Sequence, residues 1–249
     1  MSTALVTGAS SGIGRELAKL LRRDGHELIL VARREAALHE LAEELGGATV
    51  VALDLSQRDA VATLTSLVPH VDVLINNAGF GDSGLFADAD PSRQLEMIDL
   101  NFRALTEMTR AYLPGMVQRR FGRVMNVAST AAFQPGPYMA TYFASKAYVL
   151  SFSEALSEEV RGTGVTITAL CPGVTESEFH AVAGLGATKV GMVKKPSAAS
   201  VAEQGYDAML AGTTVVVTGV FNKLGTLGVR VVPRALVRRL VKFVLKGAR

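Results

Sequence analysis

Short runs of apolar residues alternate along the chain with longer stretches in which apolar residues recur every three or four positions. The runs are rich in Val, Ile and Leu, contain few polar residues and end at Gly, Asp, Asn or Ser. This pattern is typical of parallel strands that are buried on both faces of a sheet. We expect seven such strands, at residues 4–8, 27–33, 49–55, 71–79, 122–129, 164–173 and 213–219.

The stretches between the runs have the spacing of amphipathic helices. After the first strand, Leu17, Leu20 and Leu21 lie on one helical face, and the pattern ends at Gly25. Strands that alternate with helices and cross over in the right-handed sense form a doubly wound sheet. The chain therefore predicts an α/β fold with a Rossmann-type parallel sheet of seven strands, in a single domain over residues 1–232.

Composition and charge exclude several classes of protein. Apolar residues make up 49% of the chain and charged residues 20%, which argues against disorder. The formal net charge of +3 shows no general electrostatic footprint for nucleic acid. The lone Cys171 excludes an internal disulfide framework. We expect a cytoplasmic protein without a leader, and without the roughly 18 uninterrupted apolar residues of a membrane span.

The first strand runs into a glycine-rich turn, TGASSGIG at 7–14. Glycines let such a turn tighten, and they let backbone N–H groups approach a pyrophosphate at the N-terminus of the next helix. An ordinary tight connection is the alternative, and the position at the first strand of an alternating chain disfavours it. The predicted cofactor contacts here are Gly8, Ser10, Ser11, Gly12, Ile13 and Gly14.

The second strand ends at Ala32 and is followed by Arg33 and Arg34. An acid at this point would accept hydrogen bonds from the ribose 2′-OH of NAD and would repel a 2′-phosphate. Guanidinium groups instead bind a phosphate with paired donors. NADP(H) is therefore favoured over NAD(H), with Arg33 as the leading contact and Arg34 as the second. Two solvated arginines at the start of a helix are the alternative.

Further polar or small residues close the third and fourth strands. Asp54, followed by Leu55, could meet the adenine amino group or could begin the next helix. Asn77, Ala78 and Gly79 could let the backbone and a ribose come close, or could form a structural turn. Both groups are expected at the nucleotide end of the site.

Tyr142 and Lys146 lie four residues apart in a stretch without Gly or Pro, and would share one helical face. Reduction of a ketone requires a hydride at carbon and a proton at oxygen, and a free tyrosine has a pKa near ~10. A nearby ammonium, together with an oxidised nicotinamide ring, could lower that pKa. Ser129 closes the preceding strand, where α/β sheets present ligand groups. A common surface pair is the alternative.

Together these motifs resemble the classical short-chain dehydrogenase/reductase family. TGASSGIG at 7–14, NNAG at 76–79, NVAS at 126–129, YFASK at 142–146 and PG at 172–173 follow that family's order and spacing. The resemblance extends over about residues 3–220. It implies an NAD(P)-dependent oxidoreductase that interconverts a carbonyl and an alcohol.

The resemblance also implies roles for individual residues. Ser129 resembles the serine that hydrogen-bonds the substrate oxygen, and Tyr142 the general acid/base. Lys146 resembles the lysine that binds the nicotinamide ribose and lowers the tyrosine pKa. Asn101 resembles the asparagine that holds a water between Lys146 and solvent. The residues at the nicotinamide are then Pro172, Gly173, Val174 and Thr175, with Ser177 as an alternative to Thr175.

Three segments should decide the substrate: 80–92, 131–140 and 174–196. They are apolar with few charges, which favours a lipophilic ketone or a 3-oxoacyl compound. The small residues of 174–196 also suit a lid. The four histidines form no metal-like cluster, and a homodimer or homotetramer is expected. Alternatives are a non-catalytic NADP-binding regulatory or scaffold protein, and an epimerase or dehydratase on the same scaffold.

The tail, residues 233–249, does not belong to the family's pattern. Leu236, Val237, Leu240, Val241 and Val244 form an apolar stripe. Such a helix could lie on an anionic membrane surface, which would give the protein peripheral membrane contact, or could dock on its own or a partner subunit. The interspersed basic residues are Arg234, Arg238, Arg239, Lys242 and Lys246.

Overall fold

A computed structural model describes residues 2–176, 183–184 and 195–247, and contains one sheet of seven parallel strands. The strands run in the order β3-β2-β1-β4-β5-β6-β7. The predicted doubly wound Rossmann-type sheet is therefore confirmed. Each strand ends one to three residues earlier than predicted, because the chain there turns out of the ladder at the sheet's carboxyl edge. The bounds are β1 Thr3–Thr7, β2 Glu27–Ala32, β3 Thr49–Ala52, β4 Val73–Asn76, β5 Gly122–Val127, β6 Val165–Cys171 and β7 Val215–Val217.

Helices connect the strands and cover the sheet. A π-helical turn, Asp99–Ala104, joins two of them, and a short 3-10 turn, Thr130–Phe133, follows β5. The helices within the described ranges are α1 Gly12–Arg23, α2 Glu35–Glu44, α3 Ala60–Leu67, α4 Pro91–Ile98, α5 Leu105–Arg119, α6 Ala140–Glu159, α7 Ala198–Leu210, α8 Val220–Val231 and α9 Arg234–Leu245.

Alternate residues of β1 enter two separate cores. Ala4 and Val6 of β1 belong to the core formed with α1, α2 and α7, whereas Leu5 belongs to the core formed with α3 and α5. Leu5 pairs with Ile29 on one neighbouring strand and with Leu74 on the other. Because both faces are buried, the strands read as continuous apolar runs instead of alternating ones.

The connections from β1 diverge at the centre of the sheet, since β2 lies on one side and β4 on the other. Such a switch point leaves a crevice at the carboxyl ends of the strands. Thr7 ties the end of β1 to the β4 side: its Oγ1 donates to Ile75 O at 3.1 Å and accepts from Asn77 N at 2.9 Å and Ala78 N at 3.0 Å. The fold thus sets the glycine turn beside the NNAG segment.

The C-terminal helix α9 packs on its own subunit, which is one of the two positions expected for the tail. Val237, Val241 and Leu245 are buried in a cluster that includes Met139 and Tyr142. By contrast, Leu236 and Leu240 of the predicted stripe are 54% and 64% exposed. The helix therefore buries only one side of its apolar surface.

Candidate active site

A cavity of ≈ 670 Å³ follows the carboxyl edge of the sheet. Its volume is in the range of ligand pockets. Two predicted site residues, Gly14 and Asn101, lie behind the cavity wall and do not line it. The alternative Ser177 lies outside the described residues. The predicted residues that line the cavity are Gly8, Ser10, Ser11, Gly12, Ile13, Arg33, Arg34, Asp54, Leu55, Asn77, Ala78, Gly79, Ser129, Tyr142, Lys146, Pro172, Gly173, Val174 and Thr175.

The glycine turn at one end leaves no room for a side chain at Gly8 or at Gly14. Gly8 has φ +65°, and a Cβ on Gly14 would lie 2.5 Å from Gly8 O and 2.4 Å from Asn77 Nδ2. The next helix begins at Gly12, and Ser11 before it makes no side-chain capping bond. Backbone N–H groups at this helix end are therefore free of a side-chain cap, and a pyrophosphate fits the turn.

The two arginines after β2 reach the same end of the cavity. Arg34 Nη2 donates to Ser10 Oγ at 3.3 Å. Arg33 Nη1 lies 3.2 Å from Glu96 Oε1 and 3.9 Å from Asp54 Oδ2. Glu96 was not predicted to lie here, and no local sequence signal indicates it, because the contact joins residues 63 positions apart. Glu96 thus holds Arg33 and competes with any other anion for it.

Asp54 and Asn77 carry structural hydrogen bonds while they line the cavity. Asp54 Oδ1 accepts from Ser56 N at 3.0 Å and from Ser56 Oγ at 2.7 Å, so it closes a local turn instead of capping α3. Asn77 Nδ2 donates to Thr7 O at 3.0 Å and to Gly8 O at 3.2 Å. The NNAG segment therefore forms a hydrogen-bonded structural turn, and its residues Asn77, Ala78 and Gly79 also line the cavity.

Ser129, Tyr142 and Lys146 meet at the opposite end. Tyr142 and Lys146 lie one turn apart near the start of α6, and both are buried. Lys146 Nζ lies 5.9 Å from the centroid of the Tyr142 ring and donates to Val127 O at 2.7 Å. Ser129 Oγ accepts from Ala131 N at 3.1 Å, and its side chain is hydrogen-bonded to Tyr142. One helix and one strand end thus bring the three side chains together.

Burial shifts the pKa values of both Tyr142 and Lys146. It raises the pKa of Tyr142 to about 12, although the hydrogen bond with Ser129 lowers that pKa in part. Burial also lowers the pKa of Lys146 to about 8. Desolvation of the phenolate dominates the pKa of Tyr142 here, and the Lys146 ammonium is bonded to Val127 O; the lowering of that pKa by Lys146 together with an oxidised nicotinamide ring stays a prediction. The phenol is held firmly in its protonated form.

Asn101 is turned inward by the π-helical segment and is 1% exposed. Its Oδ1 accepts from Phe80 N at 3.1 Å, and its Nδ2 donates to Phe80 O at 2.9 Å and to Ser145 Oγ at 3.1 Å. These bonds clamp the segment after β4 onto α6. Phe80 N occupies one of the two acceptor sites of Oδ1, and the second could accept a hydrogen bond from a water. That Asn101 holds such a water stays a prediction. A Cβ on Gly79 would lie 3.0 Å from that Oδ1 and 3.6 Å from Lys146 Nζ, which explains the glycine.

A family model described as "short chain dehydrogenase" matches residues 2–187. The chain belongs to the short-chain dehydrogenase family. A short chain dehydrogenase of Pseudocercospora fijiensis is 39% identical over 189 residues, which is 72% of this chain. The match spans 61% of that relative's length.

Two solved structures show how closely the fold is shared. A short-chain dehydrogenase from Sphingobium yanoikuyae in complex with NADPH has a TM-score of 0.84 and 31% identity, over 92% of this chain and 94% of that one. A 3-ketoacyl-(acyl-carrier-protein) reductase from Brucella melitensis complexed with NADH has a TM-score of 0.77 and 27% identity, over 87% and 96%. The predicted dehydrogenase/reductase class is therefore confirmed.

The remaining wall of this short-chain dehydrogenase is mostly apolar, with Thr130 and Gln134 as polar members, and comes partly from residues that were not predicted to line the cavity. Phe80, which belongs to the predicted segment 80–92, lines the cavity beside Tyr142 together with Leu100 and Phe143, and Val241 and Leu245 of α9 close it. The apolar stripe of the tail was visible in the sequence, but its periodicity does not say which surface it covers. The predicted lid, 174–196, lies mostly outside the described residues.

Proposed function

We propose that this short-chain dehydrogenase interconverts a lipophilic ketone or 3-oxoacyl compound and the corresponding alcohol, with NADP(H) as the cofactor. The supporting observation is one continuous cavity, in which Ser129, Tyr142 and Lys146 lie between the glycine turn and an apolar wall. Bound NADP(H) supplies or accepts the hydride. The residues of the glycine turn, Arg33 and Arg34 hold its phosphates in this proposal.

In the direction of reduction, Tyr142 donates its phenolic proton to the carbonyl oxygen, and Ser129 donates a hydrogen bond to the same oxygen. A pKa of about 12 keeps Tyr142 protonated at neutral pH, which is the form that reduction requires. In the direction of oxidation the phenolate must form, and the Ser129 hydroxyl and the Lys146 ammonium stabilise it.

Lys146 has donors to spare for this task. Its ammonium carries three N–H donors, and Val127 O accepts one of them. In this proposal the other two serve a ribose hydroxyl and the phenolate oxygen. A pKa of about 8 lies close to neutral pH, so Lys146 can also return a proton to Tyr142 with little cost in free energy.

The preference for NADP(H) depends in this proposal on Arg33. We expect Arg33→Ala to raise the KM for NADPH about 10- to 100-fold and to leave the KM for NADH nearly unchanged, since a charge-assisted bond contributes about 1.5–3 kcal/mol. Glu96→Gln, which removes the competing carboxylate, should lower the KM for NADPH. Steady-state kinetics with both cofactors measures this, and Arg23→Ala, at a solvent-exposed arginine of α1, is the control. Equal losses with NADPH and NADH would contradict the assignment.

The apolar wall supports the lipophilic substrate. At the catalytic end Lys146 is the charged group among the described lining residues. A panel of ketones and 3-oxoacyl esters of increasing chain length, each with NADH and NADPH, tests the class. We expect kcat/KM to rise up to about fourfold per added methylene until the cavity is full. Fastest turnover of short charged substrates would refute this class, and tight NADPH binding without any turnover would favour the regulatory protein. An assembly of two or four copies stays a prediction.

A further inference from the structure

Helices α8 and α9 expose a large apolar surface beside the active site. On α8 five apolar side chains lie on one helical face and are 59% to 90% exposed. Three more follow on α9. Exposed apolar residues are ordinary when scattered, but a contiguous set on consecutive helices marks an interaction surface. We define the C-terminal apolar face as Val220, Phe221, Leu224, Leu227, Val231, Leu236, Leu240 and Phe243.

An ordinary surface helix turns its apolar side toward the core, whereas α8 turns its apolar side toward solvent. Its inward side carries Asn222, Thr226 and Val229, of which Thr226 is buried. Asn222 lies against the loop after β6, since a Cβ on Gly173 would come within 2.2 Å of Asn222 Nδ2. Val229 packs on the cluster that holds Val237 and Tyr142. The apolar side of α8 therefore faces outward because its other side is fitted to the site.

The C-terminal segment that contains α8 and α9 is strongly basic. Residues 220–249 contain eight of the chain's 26 Lys and Arg residues and none of its 23 Asp and Glu residues. The other 219 residues therefore carry 18 basic and 23 acidic residues, a formal net charge of −5. Lys223 and Arg230 flank the outward side of α8, and Arg239 and Lys246 flank that of α9. A strongly basic rim around an apolar face complements an anionic partner.

The face also reaches the mouth of the cavity. Leu240 is 64% exposed and lines the cavity, while Val241 and Leu245 on the same helix line it and are buried. Val241 and Leu245 pack in one cluster with Tyr142. An apolar path thus leads from the outer surface of α9 to the catalytic tyrosine of the proposed mechanism.

We propose that the C-terminal apolar face docks on an anionic lipid membrane and that the lipophilic substrate enters the cavity from the bilayer past Leu240. The second clause rests on the proposed function, because it takes the substrate to be lipophilic. Interfacial helices insert their apolar side to the level of the headgroups, where Lys and Arg meet anionic lipids. None of the helices in the described part of the chain could cross a bilayer, so the contact is peripheral. A second copy of this chain is a poorer occupant, since two such basic segments repel each other.

Flotation of the full chain with lipid vesicles tests the docking. The vesicles contain phosphatidylcholine alone or phosphatidylcholine mixed with phosphatidylserine. We expect the wild type to float with the anionic vesicles alone. The triple variant Phe221→Gln, Leu224→Gln, Leu227→Gln should reduce the floated fraction at least about tenfold, and Lys223→Gln, Arg230→Gln should reduce it roughly fivefold per basic residue. Leu67→Gln, Leu210→Gln, at exposed leucines on α3 and α7, is the matched control and should float like the wild type.

Point variants are preferable to removal of α9, because loss of Val237 and Val241 would uncover the cluster around Tyr142. None of the substituted residues lines the cavity, so oxidation of NADPH with a water-soluble ketone should be unchanged. Failure of the wild type to bind anionic vesicles, equal binding to neutral ones, or full binding by the triple variant overturns the proposal. Dissociation of an oligomer by the triple variant, without flotation of the wild type, identifies a subunit interface and also overturns it. Flotation without turnover of any carbonyl refutes the proposed function and leaves the docking surface supported.

Discussion

Tyr142→Phe is expected to lower kcat about 10²- to 10⁴-fold, the usual contribution of a positioned general acid or base. The substitution removes the hydroxyl and keeps the ring, which packs in the cluster with Met139 and α9. Ser129 retains Ala131 N as a partner, so no buried polar group is left unpaired. The fold and the nucleotide end of the cavity should therefore be unaffected, and the affinity for NADPH nearly unchanged.

Steady-state turnover and titration of NADPH fluorescence measure the two quantities separately. Tyr148→Phe is the matched control, because Tyr148 lies on the same helix but is part-exposed, with its hydroxyl 2.8 Å from Thr106 Oγ1. It should retain wild-type rates. Wild-type turnover in Tyr142→Phe would rule out Tyr142 as the proton donor, whatever the behaviour of the control.

Lys146→Met is expected to reduce both turnover and affinity for NADPH, each by about tenfold or more. The ammonium in this mechanism holds the nicotinamide ribose and stabilises the phenolate, and charge-assisted hydrogen bonds contribute about 1.5–3 kcal/mol. Met keeps most of the volume of the side chain, so the cavity should not collapse. The contrast with Tyr142→Phe is diagnostic, since only the lysine variant should weaken cofactor binding. Unchanged NADPH affinity in Lys146→Met would refute the ribose contact.

The same variant reports on the burial of Lys146 through pH. Burial lowers the pKa of Lys146 from 10.5 to about 8, so between these values the unfolded chain binds more protons at this residue than the folded chain. The free energy of unfolding of the wild type then rises with pH across this window relative to that of the variant, by roughly 3 kcal/mol in total. Urea unfolding of both proteins at several pH values measures the difference. A difference that is independent of pH would show that Lys146 is solvated.

Much of this protein can be predicted from local patterns. The runs of Val, Ile and Leu predict buried parallel strands, since each strand needs apolar residues on both faces. The TGASSGIG turn predicts a phosphate site, because only glycine fits where Gly14 meets Gly8 O. Tyr142 and Lys146 share a helical face through their spacing alone. These features lie within a few residues of one another, so the sequence displays them directly.

The tertiary structure decided what depends on distant contacts. The periodicity of the tail determined that α9 would have an apolar side, but a helix does not specify which surface it covers. Packing on Tyr142 and Met139 selected Val237, Val241 and Leu245 for burial and left Leu236 and Leu240 outside. The ion pair of Arg33 with Glu96 also depends on the tertiary structure, because the two residues are 63 positions apart in the sequence. Burial also raises the pKa of Tyr142, an effect that only the tertiary structure shows, because desolvation depends on everything packed around the phenol and the local sequence records only the neighbouring lysine.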